Sequence, residues 1–339
     1  MNTHNRRKTV LRAALLGAAF IVLLLIGMRW IDSWQASRYQ ERREEGNEAF
    51  MTAGLAVWEG EKYRRIPGMT TLLIAGIDRE ADAQQIVGTS RYRSGGQADF
   101  ILLVAIDHTH RRIHQLQIDR DAMAEVTVLS VYGEETGERV MQICLAHSYG
   151  ANREENAQHT ARAVRRLMND LEIDGYYMID YGAVSALNDA LGGVTVTVPD
   201  DMTAVDPNWT KGSTVTLRGS EAEAFVRARR TVGEGTNVER MRRQSEFMQK
   251  ALAQMRDRMS DDADFGLRLL SDLEAKAATN LSQQQLAAEI QNAFEYEVTP
   301  LEYLDGDYRT GDDGHTEFHV AEGSAERWVM DHLYIKEQD

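Results

Sequence analysis

The longest unbroken apolar run in this chain lies near its amino terminus, from Ala13 to Met28 (AALLGAAFIVLLLIGM). With Val10, Leu11, Trp30 and Ile31 around it, the run reaches about 20 residues, the length a helix needs to cross a bilayer. Arg6, Arg7, Lys8 and Arg12 precede or flank it with no acid among them. That bias keeps the amino-terminal side in the cytoplasm and exports the remainder. The bulky sequence RWIDSW after Met28 offers no small-residue cleavage site, so the run is expected to be kept as an anchor, not removed as a signal peptide. The expected organisation is a cytoplasmic tail over 1–8, a transmembrane helix over 9–31, a helical juxtamembrane stalk over 32–67 and an extracellular domain over 68–339. The entry to that domain is marked by Pro67-Gly68.

Beyond the entry, short continuous apolar runs predict buried strands. Thr70–Asp78 (TTLLIAGID), Ala98–Asp107 (ADFILLVAID) and Arg111–Asp119 (RRIHQLQID) each end in an acid. The second and third are close enough to form a hairpin over His108–His110, in which facing residues have numbers summing to about 217. That register sets Asp99 opposite Ile118, one step from Arg120. With the first strand parallel to the third, Asp78, Asp99 and Arg120 share one end of a sheet, where α/β proteins place chemistry. Ala161, Val164, Leu167, Met168 and Leu171 recur at helical spacing within Glu154–Ile173. LGGVTVTV predicts a strand after a glycine turn. Ser220 with Glu223, and Thr236 with Glu239, have capping-box spacing and open two further helices. Strands alternate with helices throughout, an α/β or α+β order. The core spans about 70–260, and 261–339 is expected to complete the same domain.

Composition narrows the partners. The 339-residue chain is globular in character and carries a formal charge of −15, which disfavours nucleic acid. A single cysteine, Cys144, permits no internal disulfide. There is no Walker loop, G-x-S-x-G, H-E-x-x-H or C-x-x-C.

Against that acidity, Phe225–Gln244 (FVRARRTVGEGTNVERMRRQ) holds six arginines and no lysine. A solvated charged surface is the plain alternative. Arginine alone, set around the start of a helix, suits bidentate binding of phosphate or carboxylate. Asp78 and Asp99 at neighbouring strand ends either cap turns or hold Mg²⁺ (or Mn²⁺), which takes one or two carboxylates together with substrate phosphates.

A single amino-terminal anchor, LLIAGIDRE, ADFILLVAID, IHQLQIDRDAM, LNDALGGVTVTVPDDM, LRGSEAEAFVRAR and NVERMRRQ follow one another in order. This series resembles the LytR-CpsA-Psr family of membrane-anchored cell-wall glycopolymer ligases, in a Clostridia-type form, over about Thr70–Lys250. The resemblance implies a three-layer α/β/α domain with a central mixed sheet. It also implies transfer of a glycan with its phosphate from a polyprenyl pyrophosphate carrier to peptidoglycan at the membrane, as in the attachment of teichoic acid or capsule. By position it assigns Asp78 and Asp99 to the metal. Arg120, Arg227, Arg229, Arg240 and Gln244 fall to the pyrophosphate, and the same arginines to catalysis. Three positions depart from the family pattern: Gln97 replaces an arginine, Asn237 an acid, and Asp119 the proline of a P-R-D motif. Asp121 is then the candidate to accept the attacking hydroxyl's proton. A non-catalytic binder of the lipid carrier and a polyprenyl pyrophosphate phosphatase are the alternatives.

Overall fold

The computed structural model describes residues 55–78, 95–130, 134–150, 152–229, 232–233, 235–262 and 264–337. The expected anchor and most of the expected stalk lie outside these residues. No helix among the described residues is long and apolar enough to cross a membrane. The chain divides into two compact units, one of Ile66–Tyr334 and one whose described part is residues 55–65 and 335–337.

In the smaller unit, the final stretch of the expected helical stalk is a hairpin instead. Strands β1 (Leu55–Trp58) and β2 (Glu61–Arg65) pair antiparallel. The turn residues Glu59 and Gly60 both have positive φ, at 51° and 81°. Such a turn matches the right-handed twist of the strands it joins, and a glycine at its second position lowers the cost. Local turn chemistry here overrides helix-compatible composition.

The larger unit is built on six strands in the order β11–β8–β3–β4–β5–β12. They are β3 (Met69–Asp78), β4 (Gln97–Asp107), β5 (Arg112–Ile118), β8 (Gly175–Asp180), β11 (Ala277–Thr279) and β12 (Glu297–Tyr303). β3, β4 and β5 run antiparallel in succession, while β8 joins β3 and β12 joins β5 in parallel, so the sheet is mixed. The chain therefore has a mixed α/β fold with a central mixed sheet. The β4–β5 register differs from expectation by two residues, because Ile101, not Asp99, faces Ile118. The turn is centred nearer Thr109–His110 than the symmetric sequence HTH suggests, which carries Asp99 level with Arg120.

The continuous apolar run of β4 has two faces to cover, and alternate residues go to different cores. Ile101, Leu103 and Ala105 pack with helices α1 (Arg153–Leu167) and α7 (Ser324–Leu333) and with β6 (Met123–Leu129). Phe100, Leu102, Val104 and Ile106 form a second cluster with Met248 of α4 (Asn237–Asp261) and Ala293 of α6 (Gln283–Ala293). A third cluster joins α2 (Gly182–Ala190), the β9–β10 ribbon (Thr195–Thr197, Thr214–Thr216), α3 (Glu221–Arg227) and α4.

Thr236 and Glu239 form the expected capping box at the start of α4. Ser220 does not cap α3: its backbone is already helical and its side chain makes no cap bond. Glu221 turns back instead to accept from the Arg218 amide at 2.8 Å. Residues 306–320 add a hairpin, with β14 (Thr316–Val320) antiparallel to β13 (Gly306–Thr310).

Part of the arginine run serves the scaffold. Arg243 is fully buried, with Nη1 3.1 Å from Asp200 Oδ2 and Nη2 donating to the Ala228 carbonyl. Arg242 takes the other Asp200 oxygen at 3.1 Å. This clamp fixes the loop between α3 and α4. Asp200→Ala leaves a buried guanidinium without its counter-charge and is expected to lower unfolding free energy by about 3–5 kcal/mol in denaturant titration. A loss below about 1 kcal/mol contradicts the clamp.

Candidate anion-binding site

The site gathers at the end of the sheet where β3 and β5 finish and β4 begins. Across β3 and β4, Asp78 faces Gln97 and Ile77 faces Ala98, but Gly76 faces Phe100. Asp99 is the extra residue of a β-bulge, a feature that re-aims a side chain at a strand end. The turn into β4 needs Gly96, whose φ is +83° and where a Cβ would lie 2.5 Å from the Asp78 carbonyl.

Asp99 is buried and its two oxygens hold two different arginines. Oδ1 accepts from Arg120 Nη1, and Oδ2 accepts from Arg240 Nη1 at 2.8 Å. Arg120 also donates through Nη2 to Gln97 Oε1 at 2.5 Å and to Cys144 Sγ at 3.0 Å, and its Nε lies 3.3 Å from Asp121 Oδ1. Burial pushes the Cys144 thiol up to about 11, so it sits here as a neutral acceptor. Cys144 is buried, as its apolar surroundings in the sequence suggest. Its contact with Arg120 arises from the 3-10 turn Ile143–Ser148 and has no sequence signal.

Arg240, Asn237 and Gln244 lie three and four residues apart on the buried face of α4. Asn237 Oδ1 accepts from Arg240 Nε at 3.1 Å and from its Nη2. Gln244 Nε2 donates to the Tyr181 hydroxyl at 3.1 Å, and its Oε1 accepts from Gln117 at 3.3 Å. At the more open rim, Arg227 donates to Asp78 Oδ1 at 2.6 Å and to Glu223 at 2.8 Å, with its guanidinium 5.5 Å over the Tyr181 ring. Arg229 is 3.9 Å from Asp121 Oδ2, too long for a hydrogen bond.

The structure thus brings together Asp78, Asp99, Arg120, Asp121, Arg227, Arg229, Arg240 and Gln244, whereas Arg242 and Arg243 of the same run turn to Asp200. Asp119, marked in the sequence only as a departure beside Arg120, joins them, and so do Tyr181 and Tyr308, which the sequence does not single out. Four guanidiniums, of Arg120, Arg227, Arg229 and Arg240, face the carboxylates of Asp78, Asp99, Asp121 and Glu223, and a fifth carboxylate, of Asp119, is reached only through the Asn237 amide. Asp99 has both oxygens committed and Asp78 one, and no cluster of three or more His, Cys, Asp or Glu poised for a metal occurs among the described residues. Next to the charged group lies the apolar cluster of Phe100, Leu102, Val104, Ile106 and Met248. A separate cavity of about 420 Å³, lined by Arg153, Tyr177, Leu270, Thr279 and Leu286 among others, contains none of the arginine-site residues.

The model of the LytR_cpsA_psr family matches residues 38–326. The chain belongs to this family. It is similar to the polyisoprenyl-teichoic acid–peptidoglycan teichoic acid transferase TagU of Halalkalibacterium halodurans, 26% identical over 165 residues, which are 49% of this chain and 46% of that protein. It is also similar to the transferase of the same description, TagV, of Bacillus subtilis, 26% identical over 192 residues, 55% of this chain and 44% of that one. Each match spans less than half the relative's length. Among solved structures, protein gbs0355 from Streptococcus agalactiae superposes with a TM-score of 0.62 at 20% identity, over 78% of this chain and 88% of that one, which shows a shared fold.

Asp121 is the group whose protonation the site alters most usefully. Its Oδ2 is buried without a hydrogen-bond partner among the described residues. Burial raises its pKa above the ordinary 3.8, with Arg120 opposing. A raised folded-state value means that the stability from protonation is complete below the unfolded pKa and is lost as pH rises through the folded one. Wild type is expected to lose thermal stability from about pH 4 upward relative to Asp121→Asn, and the two to converge below that. Parallel curves across the range contradict the raised value.

Proposed function

We propose that this chain binds a polyprenyl pyrophosphate-linked glycan and transfers the glycan with its phosphate to peptidoglycan. The observation that carries this reading is the joint grip of Arg120 and Arg240 on the buried Asp99 beside an apolar sheet face. Guanidiniums held by carboxylates are pre-positioned for phosphate oxygens, which match the same fork geometry. The cluster of Phe100, Leu102, Val104 and Ile106, between the sheet and α4 and α6, is where an isoprenoid tail would lie. The names of TagU and TagV, both teichoic acid transferases acting on peptidoglycan, support the transferase class.

In the proposed reaction a sugar hydroxyl of peptidoglycan attacks the phosphorus that bears the glycan. The bond from that phosphorus to the bridging oxygen breaks, and polyprenyl phosphate leaves with the electron pair. Such transfers depend mainly on positioning and charge neutralisation. Arg120 and Arg240 would hold non-bridging oxygens at depth, Arg227 and Arg229 would close on them from the rim, and Gln244 would orient one. The attacking hydroxyl's proton would pass to Asp121, whose raised pKa makes it a better base than an ordinary aspartate.

Four arginines among the carboxylates of Asp78, Asp99, Asp119, Asp121 and Glu223 leave no net positive charge for a pyrophosphate. Asp78 and Asp99 are the donor set Mg²⁺ uses with phosphates, so both would hold that ion, which would neutralise pyrophosphate charge as their arginines turn to the substrate. Membrane attachment through the apolar run at 9–31, with the domain outside the cell, would confine enzyme and carrier to one surface. A binder without turnover is the second reading, favoured by the neutral Asn237 beside Arg240.

The full chain in detergent is expected to bind geranylgeranyl pyrophosphate. Arg240→Ala and Arg227→Ala should each weaken binding by more than about 1.5 kcal/mol, the value of a charged hydrogen bond. Unchanged binding in both variants removes the anion-site assignment. Magnesium should tighten wild-type binding, and Asp78→Asn should lose that response. Release of polyprenyl phosphate only when peptidoglycan is added identifies a transferase; release without it identifies a phosphatase.

A further inference from the structure

Asp119 and Tyr308 have no part in the reaction above, yet hydrogen bonds tie both to Arg240. Asp119 follows the last residue of β5 and is buried. Its Oδ1 accepts from Asn237 Nδ2 at 2.7 Å and from the Asp121 amide at 2.8 Å, and its Oδ2 accepts from the Tyr308 hydroxyl. On its other side Asn237 offers its carbonyl oxygen to Nε and Nη2 of Arg240. Arg240 in turn reaches Asp99 through Nη1. The sequence of contacts is Tyr308, Asp119, Asn237, Arg240, Asp99.

Each link has its donor and acceptor fixed by chemistry. Arginine only donates and carboxylate only accepts, so the amide between them has a single workable orientation. Asn237 is neutral and supplies no counter-charge to Arg240. The counter-charge in contact with Arg240 is Asp99; Asp119 adds a second negative charge one residue further away, polarising the amide between them. Tyr308 belongs to β13, and the β13–β14 hairpin is fastened to the site's own loop: the Phe318 amide donates to the Asp121 carbonyl at 2.8 Å, and Ala122 bridges Phe318. The Tyr308 ring rests 5.0 Å from that of Phe318. Burial and the adjacent Asp119 carboxylate both push the Tyr308 hydroxyl pKa up, so it remains a donor. The carboxy-terminal part of the chain, silent in the sequence, thereby reaches the anion site.

We propose that Asp119, held by Tyr308 and acting through Asn237, is the positioning residue that fixes the Arg240 guanidinium for the pyrophosphate of the substrate. This rests on the pyrophosphate reading of the site. A loop-stabilising role for the same bonds would show as lost stability, and a positioning role as lost affinity that returns when the acid and amide are exchanged.

The test is titration of the full chain in detergent with geranylgeranyl pyrophosphate and Mg²⁺, with melting temperature recorded for every variant. Asp119→Asn removes the negative charge behind the Asn237 amide, and Asn237→Asp sets two carboxylates in contact. Each is expected to weaken binding about tenfold, the size of one lost charged hydrogen bond. The double variant Asp119→Asn/Asn237→Asp restores an acid–amide pair, with the acid now on Arg240, and should return to within about threefold of wild type. Tyr308→Phe, at a half-exposed hairpin residue, should bind about fivefold more weakly with little change in melting. If wild type binds but Asp119→Asn and Tyr308→Phe bind equally well, or if the double variant stays at the level of the weaker single one, the positioning role is overturned alone. If wild type does not bind, the pyrophosphate reading falls and this assignment with it.

Discussion

The ion pairs on Asp99 are the constraint around which the site is arranged. Two guanidiniums, one from the end of β5 and one from the first turn of α4, meet on a carboxylate that is only 7% exposed. A buried charge persists only where it is paired, and removing one partner is far more costly than the net gain from the pair. The requirement reaches outward from there. The β4 bulge aims Asp99, the β4–β5 register brings Arg120 level with it, and the Thr236–Glu239 box fixes where α4 begins and hence where Arg240 points.

The same balance shapes the chemistry. A site of opposed arginines and aspartates is stable while empty and holds its guanidiniums in fork geometry, but it presents little net charge to an anion. On the proposed reading, binding would be an exchange in which carboxylates give up arginines to phosphate oxygens. That exchange would become favourable if a cation compensated the released carboxylates. Selectivity follows as well. A simple anion would have nothing to offer Asp78 and Asp99, whereas the proposed pyrophosphate with a divalent ion would satisfy both sides at once. The chain's overall acidity does not oppose this, because screening limits distant surface charge while buried pairs are screened far less.

What was legible in the sequence was whatever depends on near neighbours. β4 was visible as an unbroken apolar run, α4 as a capping box followed by an apolar stripe, and the arginine–aspartate group as chemistry at strand ends. The failures have physical causes of the same kind. HTH gives no cue to which residue centres the turn, so the register was displaced by two. The stretch LAVWEGEKYRR folds on a positive-φ turn that outweighs its helix-compatible composition. Ser220 has the right spacing for a cap, but its backbone is already helical. Arg243 could not be separated from Arg240 by pattern, since its partner Asp200 lies 43 residues away. Tyr308, 189 residues from Asp119, has no local signature at all.

The positions that the sequence resemblance marks as departures, Gln97, Asn237 and Asp119, form a connected set in space. Gln97 stands where an arginine is usual, and its Oε1 accepts from Arg120 without adding charge. Asn237 stands where an acid is usual, and its amide joins Arg240 to Asp119, which itself stands where a proline is usual. One cation and one anion are absent, and one anion has been added a hydrogen bond further from the arginine. Moving the negative charge from 237 to 119 keeps Arg240 oriented and leaves its guanidinium less tightly neutralised, because an amide carbonyl competes with phosphate more weakly than a carboxylate does. With one arginine fewer, a site that holds its remaining arginines less tightly would keep them available to the proposed pyrophosphate.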